Sequence, residues 1–272
     1  FMQQGRAPDP AIVGPRWLEM WKQRLKAIPH PVERWMRHPA RDAFWKHGSV
    51  AENYGAIRAA VYAVGGWEDG YTNTVLRLMR GLKAPRKALI GPWEHTYPHV
   101  AYVNPIGFLQ EAVRSICFET EPLKRRIELF GTPEVILDLA SDREQATIAV
   151  RLSDVAPGGA ATRITYGILN LSHRDGHARP KPMAPGRRTR VRVRLNDLGQ
   201  AIPKGHRLRL AISTAYWPIV WPSPEPVTLT VFAGRGGALH LPVRRPQAID
   251  QRLKAFGEPV TAPEKDVIEA GI

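Results

Sequence analysis

The run from Val61 to His99 constrains this chain most, because its hydrophobic period passes from strand to helix and back to strand. Ala60–Gly66 is apolar, partly β-branched, and breaks at a Gly-Gly pair, as a buried parallel strand does. Val75, Leu76, Leu78, Met79 and Leu82 then recur at helical spacing, which predicts a helix over Thr72–Lys83 closed by Gly81 and Pro85. Lys87–Ile90 reads as a second strand, ending at Gly91-Pro92. Asp69 follows the first strand and His95 the second. Loops at the carboxyl ends of strands are where open α/β sheets gather their sites, so these two residues are the first candidates for acid–base chemistry.

Upstream, residues 1–58 read as short helices broken by proline. Trp17, Leu18, Met20, Trp21, Leu25 and Ile28 can share one helix face, with Pro29 and Pro31 ending it. A second segment runs from Val32 to His38, and a third carries Phe44 and Trp45 to Gly48. The simplest expectation is that these aromatics are core or helix-packing residues, the alternative being a pocket lining. His30, His38 and His47 lack metal-ligand spacing.

Downstream, a helix is expected to start at Ile106–Arg114, and the texture changes at Ser115. Eight short β-forming runs follow: 127–129, 135–139, 147–152, 163–171, 189–195, 207–213, 227–232 and 238–243. Turn-rich stretches separate them, and no helical pattern intervenes, which predicts a β-sandwich or jelly roll. The expected organisation is therefore α/β plus all-β: helices over 1–58, an α/β portion over 59–114, a sandwich over 115–250 and a tail over 251–272.

Charge and cysteine narrow the function classes. The net charge of +14 invites a nucleic-acid reading. The arginines are scattered, however, and Arg190, Arg192 and Arg194 alternate with Val191, Val193 and Leu195, so they belong on the solvent face of a half-buried strand. No nucleic-acid partner is expected, and no apolar run reaches the roughly 18 residues of a membrane span. The amino terminus has no signal-peptide core. The lone Cys117 excludes an internal disulfide and suits a cytoplasmic setting. The sequence opens at Phe1, and translation is expected to start upstream of it.

Most familiar catalytic motifs are missing. No Gly-x-Ser-x-Gly elbow, Walker loop, HExxH or dinucleotide fingerprint occurs. Gly234–Gly237 precedes a strand and reads as a hairpin turn rather than a phosphate cradle. His173, Asp175 and His177 could in principle hold a divalent ion, but a solvated loop is the simpler reading. Asp69 and His95 alone could equally be a surface ion pair or a helix cap. Their order, acid then base after successive strands, is the order those residues take in an α/β-hydrolase triad.

Longer motifs sharpen this. GGWEDGY (65–71), LIGPWEHTYPH (89–99) and GFLQE (107–111), with AVRLSDVAPGGAATRITYGILNLSHRD (149–175) and GHRLRLAISTAYWPIVWPSPEP (205–226), resemble the CocE/NonD hydrolases. That group includes cocaine esterases, amino-ester hydrolases and X-Pro dipeptidyl-peptidases. The resemblance implies the C-terminal portion of an α/β-hydrolase domain with cap helices over residues 9–48, then a jelly-roll, galactose-binding-like sandwich. It implies that Asp69 is the triad acid and His95 the base, that Trp67 and Tyr71 help wall the acyl pocket, and that no cofactor or metal is needed. The substrate would be a small ester, amide or X-Pro peptide, and a homo-oligomer stays open.

Two departures stand out. The nucleophile elbow and oxyanion donors of that group would lie upstream of residue 1, so this chain alone is expected to be inactive. The passage from GFLQEAVR directly to SICFETEPL is also shorter than in the group. The rival reading is a non-catalytic binding module whose exposed aromatics would be Tyr216, Trp217 and Trp221.

Overall fold

The computed structural model describes residues 6–28, 31–67, 69–91, 95, 115–217, 219–234 and 236–252. The helix expected at Ile106–Arg114 and nearly all of the tail lie outside them. The chain divides into two compact units: residues up to Ser49 together with His177–Arg179, and Val50–Gly176 together with Pro180 onward.

The first unit is four short helices, α1 (Pro10–Val13), α2 (Trp17–Ala27), α3 (Pro31–Met36) and α4 (Ala43–His47). Side-chain caps open two of them: Asp9 accepts from Ala11 N–H at 2.8 Å and Asp42 from Phe44 N–H at 2.9 Å. Asp42 also meets His38 Nδ1 at 2.5 Å, and that hydrogen bond is the main reason its carboxyl lies below the usual range. The aromatics pack on one another, Trp17 on Trp21 and Trp45 on both Trp35 and Phe44. Of the two expected roles, core or helix packing, they take the second: no residue of these helices is buried. Helices of this length cannot enclose an interior by themselves, so the rings shield only their neighbours.

The second unit begins with a βαβ unit: β1 (Val61–Gly66), α5 (Thr72–Gly81) and β2 (Arg86–Gly91). β1 and β2 pair in parallel from Val61↔Arg86 to Gly66↔Gly91. Ten further strands follow among the described residues: β3 (Ile116–Glu119), β4 (Ile127–Gly131), β5 (Glu134–Ser141), β6 (Thr147–Val155), β7 (Ala161–Asn170), β8 (Thr189–Arg194), β9 (Leu198–Ile202), β10 (Arg207–Ser213), β11 (Leu229–Phe232) and β12 (Ala238–His240). One antiparallel sheet has the order β3-β10-β6-β7. In another, β5 pairs with β8 on one side and with β11 and then β12 on the other. β4 and β9 form a separate antiparallel pair.

A single core joins these sheets. Ile148, Val150 and Leu152 of β6 meet Val135, Leu137 and Leu139 of β5, Val191 and Val193 of β8, and Leu198 and Ile202 of β9. Period-two alternation places the arginines of β8 on the opposite, exposed face, where Arg190 faces Asp138 and Arg192 and Arg194 face Glu134.

Two expectations need correction. Gly234–Gly237 is not a hairpin turn: β11 and β12 both run antiparallel to β5 on the same edge, Phe232 facing Asp138 and Ala238 facing Ile136. The connection between them is a multi-residue bulge in one edge strand, where Gly237 N–H donates to the Gly234 carbonyl at 3.0 Å. Tyr216 is not exposed: it is buried against Tyr166, with the guanidinium of Arg151 5.0 Å from its ring centroid.

Candidate active site

β1 and β2 end side by side at glycine, and Trp67 N–H extends the pairing to the Gly91 carbonyl at 3.0 Å. Helix α5 can lie close to β1 because Gly65 has no side chain: a Cβ there would stand 2.6 Å from Val75 Cγ2. The chain then turns tightly into α5. Asp69 N–H reaches the Gly66 carbonyl at 3.3 Å, and Thr72 N–H reaches the Asp69 carbonyl at 3.1 Å.

This turn holds the Asp69 side chain inside the protein, only 3% exposed. A buried carboxylate needs donors. One is the backbone N–H of Tyr71, 2.8 Å from Oδ1, the Asx-turn geometry that aspartate favours before a helix. The other is His95, whose Nδ1 lies 3.2 Å from Oδ2 and 3.4 Å from Oδ1. The imidazole is 71% exposed, and the Tyr71 ring lies 5.6 Å from it, itself 68% exposed. The structure therefore brings Asp69, Tyr71 and His95 together. A carboxylate can only accept, so the Nδ1 that faces it carries the proton, and Nε2 is left as the basic nitrogen.

Trp67 has its own contacts. Its ring meets Phe130 of β4 edge-on at 5.9 Å and sits over Gly199 of β9, where a Cβ would fall 2.5 Å from Trp67 Cζ2. Sequence reasoning overlooked Asn73. From the first turn of α5, its Nδ2 donates to Asn196 Oδ1 at 2.9 Å, and its Oδ1 accepts from Asp197 N–H at 2.6 Å. Its proximity to the Asp69 loop was the one available signal. Among the described residues, no three His, Cys, Asp or Glu side chains group as metal ligands, those of 173–177 included. No described helix is long and apolar enough to cross a membrane.

The profile of the X-Pro dipeptidyl-peptidase C-terminal non-catalytic domain matches residues 81–249, well over half of the chain. The chain belongs to the X-Pro dipeptidyl-peptidase C-terminal domain family. The profile of the X-Pro dipeptidyl-peptidase S15 family matches residues 3–97, which include both Asp69 and His95. Cocaine esterase from Rhodococcus sp. (strain MB1 Bresler) is 25% identical over 103 residues, 38% of this chain and 18% of the esterase. Two crystal structures of a CocE/NonD family hydrolase from Staphylococcus aureus share the fold at TM-score 0.66. They are 11% and 12% identical, cover 84% and 89% of this chain, and are themselves covered over 62% and 64%. The chain thus spans less than a fifth of the esterase and under two thirds of the staphylococcal hydrolase.

Proposed function

We propose that Asp69 and His95 are the acid and base of a Ser-His-Asp triad that hydrolyses a small ester, amide or X-Pro peptide bond. The serine comes from residues outside this sequence, which has no Gly-x-Ser-x-Gly elbow. The observation that carries the reading is the buried Asp69 carboxylate facing Nδ1 of an exposed imidazole at 3.2 Å.

In this mechanism Nε2 of His95 takes the serine proton as the hydroxyl oxygen attacks the acyl carbon. It returns that proton to the leaving group as the scissile bond breaks. Water repeats the sequence on the acyl-enzyme. Asp69 holds the imidazole in the Nδ1–H tautomer and stabilises the imidazolium while the proton is on Nε2. Tyr71, beside the imidazole, walls the acyl pocket, and Trp67 seats the loop on the β region. On this reading residues 1–58 belong to a cap, 59–114 to the α/β-hydrolase core and 115–250 to the jelly-roll, galactose-binding-like domain.

The test has two parts. The reading frame upstream of Phe1 should encode a strand–Gly-x-Ser-x-Gly–helix pattern. The protein carrying it should hydrolyse an aryl ester and lose about a million-fold in turnover with His95→Ala. Unchanged hydrolysis by that variant would overturn the role given to His95.

A second reading has one observation in its favour. Trp217 and Trp221 are 63% and 77% exposed and meet edge-to-face at 5.3 Å, an aromatic platform of the kind that binds sugars or a partner. Calorimetric titration with oligosaccharides, and its loss in Trp221→Ala, would support a binding module.

A further inference from the structure

We infer that Asn73 is a positioning residue through which the β region sets the orientation of Asp69 toward His95. The inference rests on the acid–base reading of that pair and extends it to a residue that touches neither partner.

The argument starts at the Asp69 loop. Two of the backbone bonds that shape the acid come from residues just ahead of Asn73: Tyr71 N–H donates to its carboxylate and Thr72 N–H to its carbonyl. Any movement of the first turn of α5 therefore moves the carboxylate. Asn73 is the second residue of that helix, and its amide makes two bonds to the turn between β8 and β9. The backbone N–H of Asp197 can only donate, so it fixes which end of the amide is oxygen, and Nδ2 is directed at Asn196 Oδ1.

The far end of this clamp is tied on several sides. Asn196 N–H donates to the Tyr166 carbonyl at 2.8 Å, and Thr165 Oγ1 donates to the Asn196 carbonyl at 2.8 Å. Leu195 N–H reaches the Pro133 carbonyl at 3.0 Å, and the buried Asp197 carboxylate accepts from Thr132 Oγ1. The turn is thus anchored to β7 and to the lead-in of β5. At the other end of the loop, Trp67 rests on Phe130 and Gly199. Asp69 sits between these two fixed points. Substrate-facing geometry must be held to a fraction of an ångström, and such support from neighbouring hydrogen bonds is how that is achieved.

The tautomer of His95 reads this out without any need for turnover. With 15N-labelled histidine and His95→Gln to assign its ring signals, the neutral imidazole of the wild-type chain should be mainly the Nδ1–H form. Asp69→Asn should abolish that bias. Asn73→Ala should reduce the Nδ1–H population by at least about half, and Asn196→Ala should reduce it in the same direction. Leu82→Ala, which removes a buried side chain at the C-terminal cap of α5 but leaves the clamp, should not. Should Asn73→Ala fail to fold by circular dichroism, Asn196→Ala decides, since it leaves the Asp197 N–H bond to Asn73 in place. Wild-type tautomer populations in folded Asn73→Ala and Asn196→Ala would overturn the positioning role while the pair itself stood. A wild-type imidazole in the Nε2–H form would overturn the pair, and this inference with it.

Discussion

Gly167 of β7 lies directly against the backbone of Arg194 at the end of β8: a Cβ at 167 would stand 2.3 Å from the Arg194 carbonyl oxygen. It would also fall 3.0 Å from the Arg194 carbonyl carbon and the Leu195 Cα. These are backbone atoms of the segment leading into the Asn196–Asp197 turn, so they cannot swing aside as a side-chain tip would. Gly167→Ala should cost about 2 kcal/mol or more in denaturant unfolding. Gly158→Ala, with nothing within 4 Å of its Cβ, should stay within about 0.5 kcal/mol. Equal effects from the two would contradict this account.

Leu152 of β6 is fully buried among the residues that join the sheets. Leu152→Ala removes apolar contacts and leaves a void, so its stability should fall by about 2–5 kcal/mol. Chemical denaturation followed by fluorescence would measure it. An unchanged midpoint would mean that these sheets do not share a core.

Arg244 and Asp250 close the 3-10 turn Ala248–Arg252. The hydrogen bond from Arg244 is the main reason the Asp250 carboxyl is held below the usual range, with Gln247 N–H at 2.9 Å second. A carboxyl lowered on folding contributes its full stabilisation above its unfolded pKa and loses it as pH falls through the folded one. Amide protection over residues 247–252 should hold from neutral pH to about pH 5 and fade below about pH 4. Protection that instead fades on raising pH from 5 to 8 would refute the assignment.

Among the described residues β8 pairs with β5 alone, and its outer face carries exposed arginines. Charges along an unpaired edge discourage pairing with another chain. Replacing Arg190 and Arg192 with Val should therefore produce concentration-dependent association, visible as a rising light-scattering mass. A monodisperse double variant at the same concentrations as the wild type would rule this protection out.

What could be read from residues alone follows physical lines. β1, α5 and β2 were legible because each has a local hydrophobic period, and Asp69 and His95 stand at their ends. β9 was not, because Leu198-Gly199-Gln200-Ala201-Ile202 has little β-branched character and takes its strand shape from pairing with β4. β3 carries no alternation because all four of its residues are exposed. The glycines at 234–237 suit a hairpin and a bulge equally, and only the register on β5 separates the two. The helical tryptophans could be read as core or as helix packing, because periodicity reports a shared face, not what covers it.

Asn73 and Asn196 are 123 positions apart, whereas β1, α5 and β2 find their partners within residues 61–91. Closing so long a loop is entropically unfavourable, and such distant contacts slow folding. A chain that has built its βαβ unit but not its β8–β9 turn already carries the carboxylate and the imidazole, yet Asn73 has no anchor in the β region. On the reading proposed above, the acid and base would be set for their work only once this long-range closure is made.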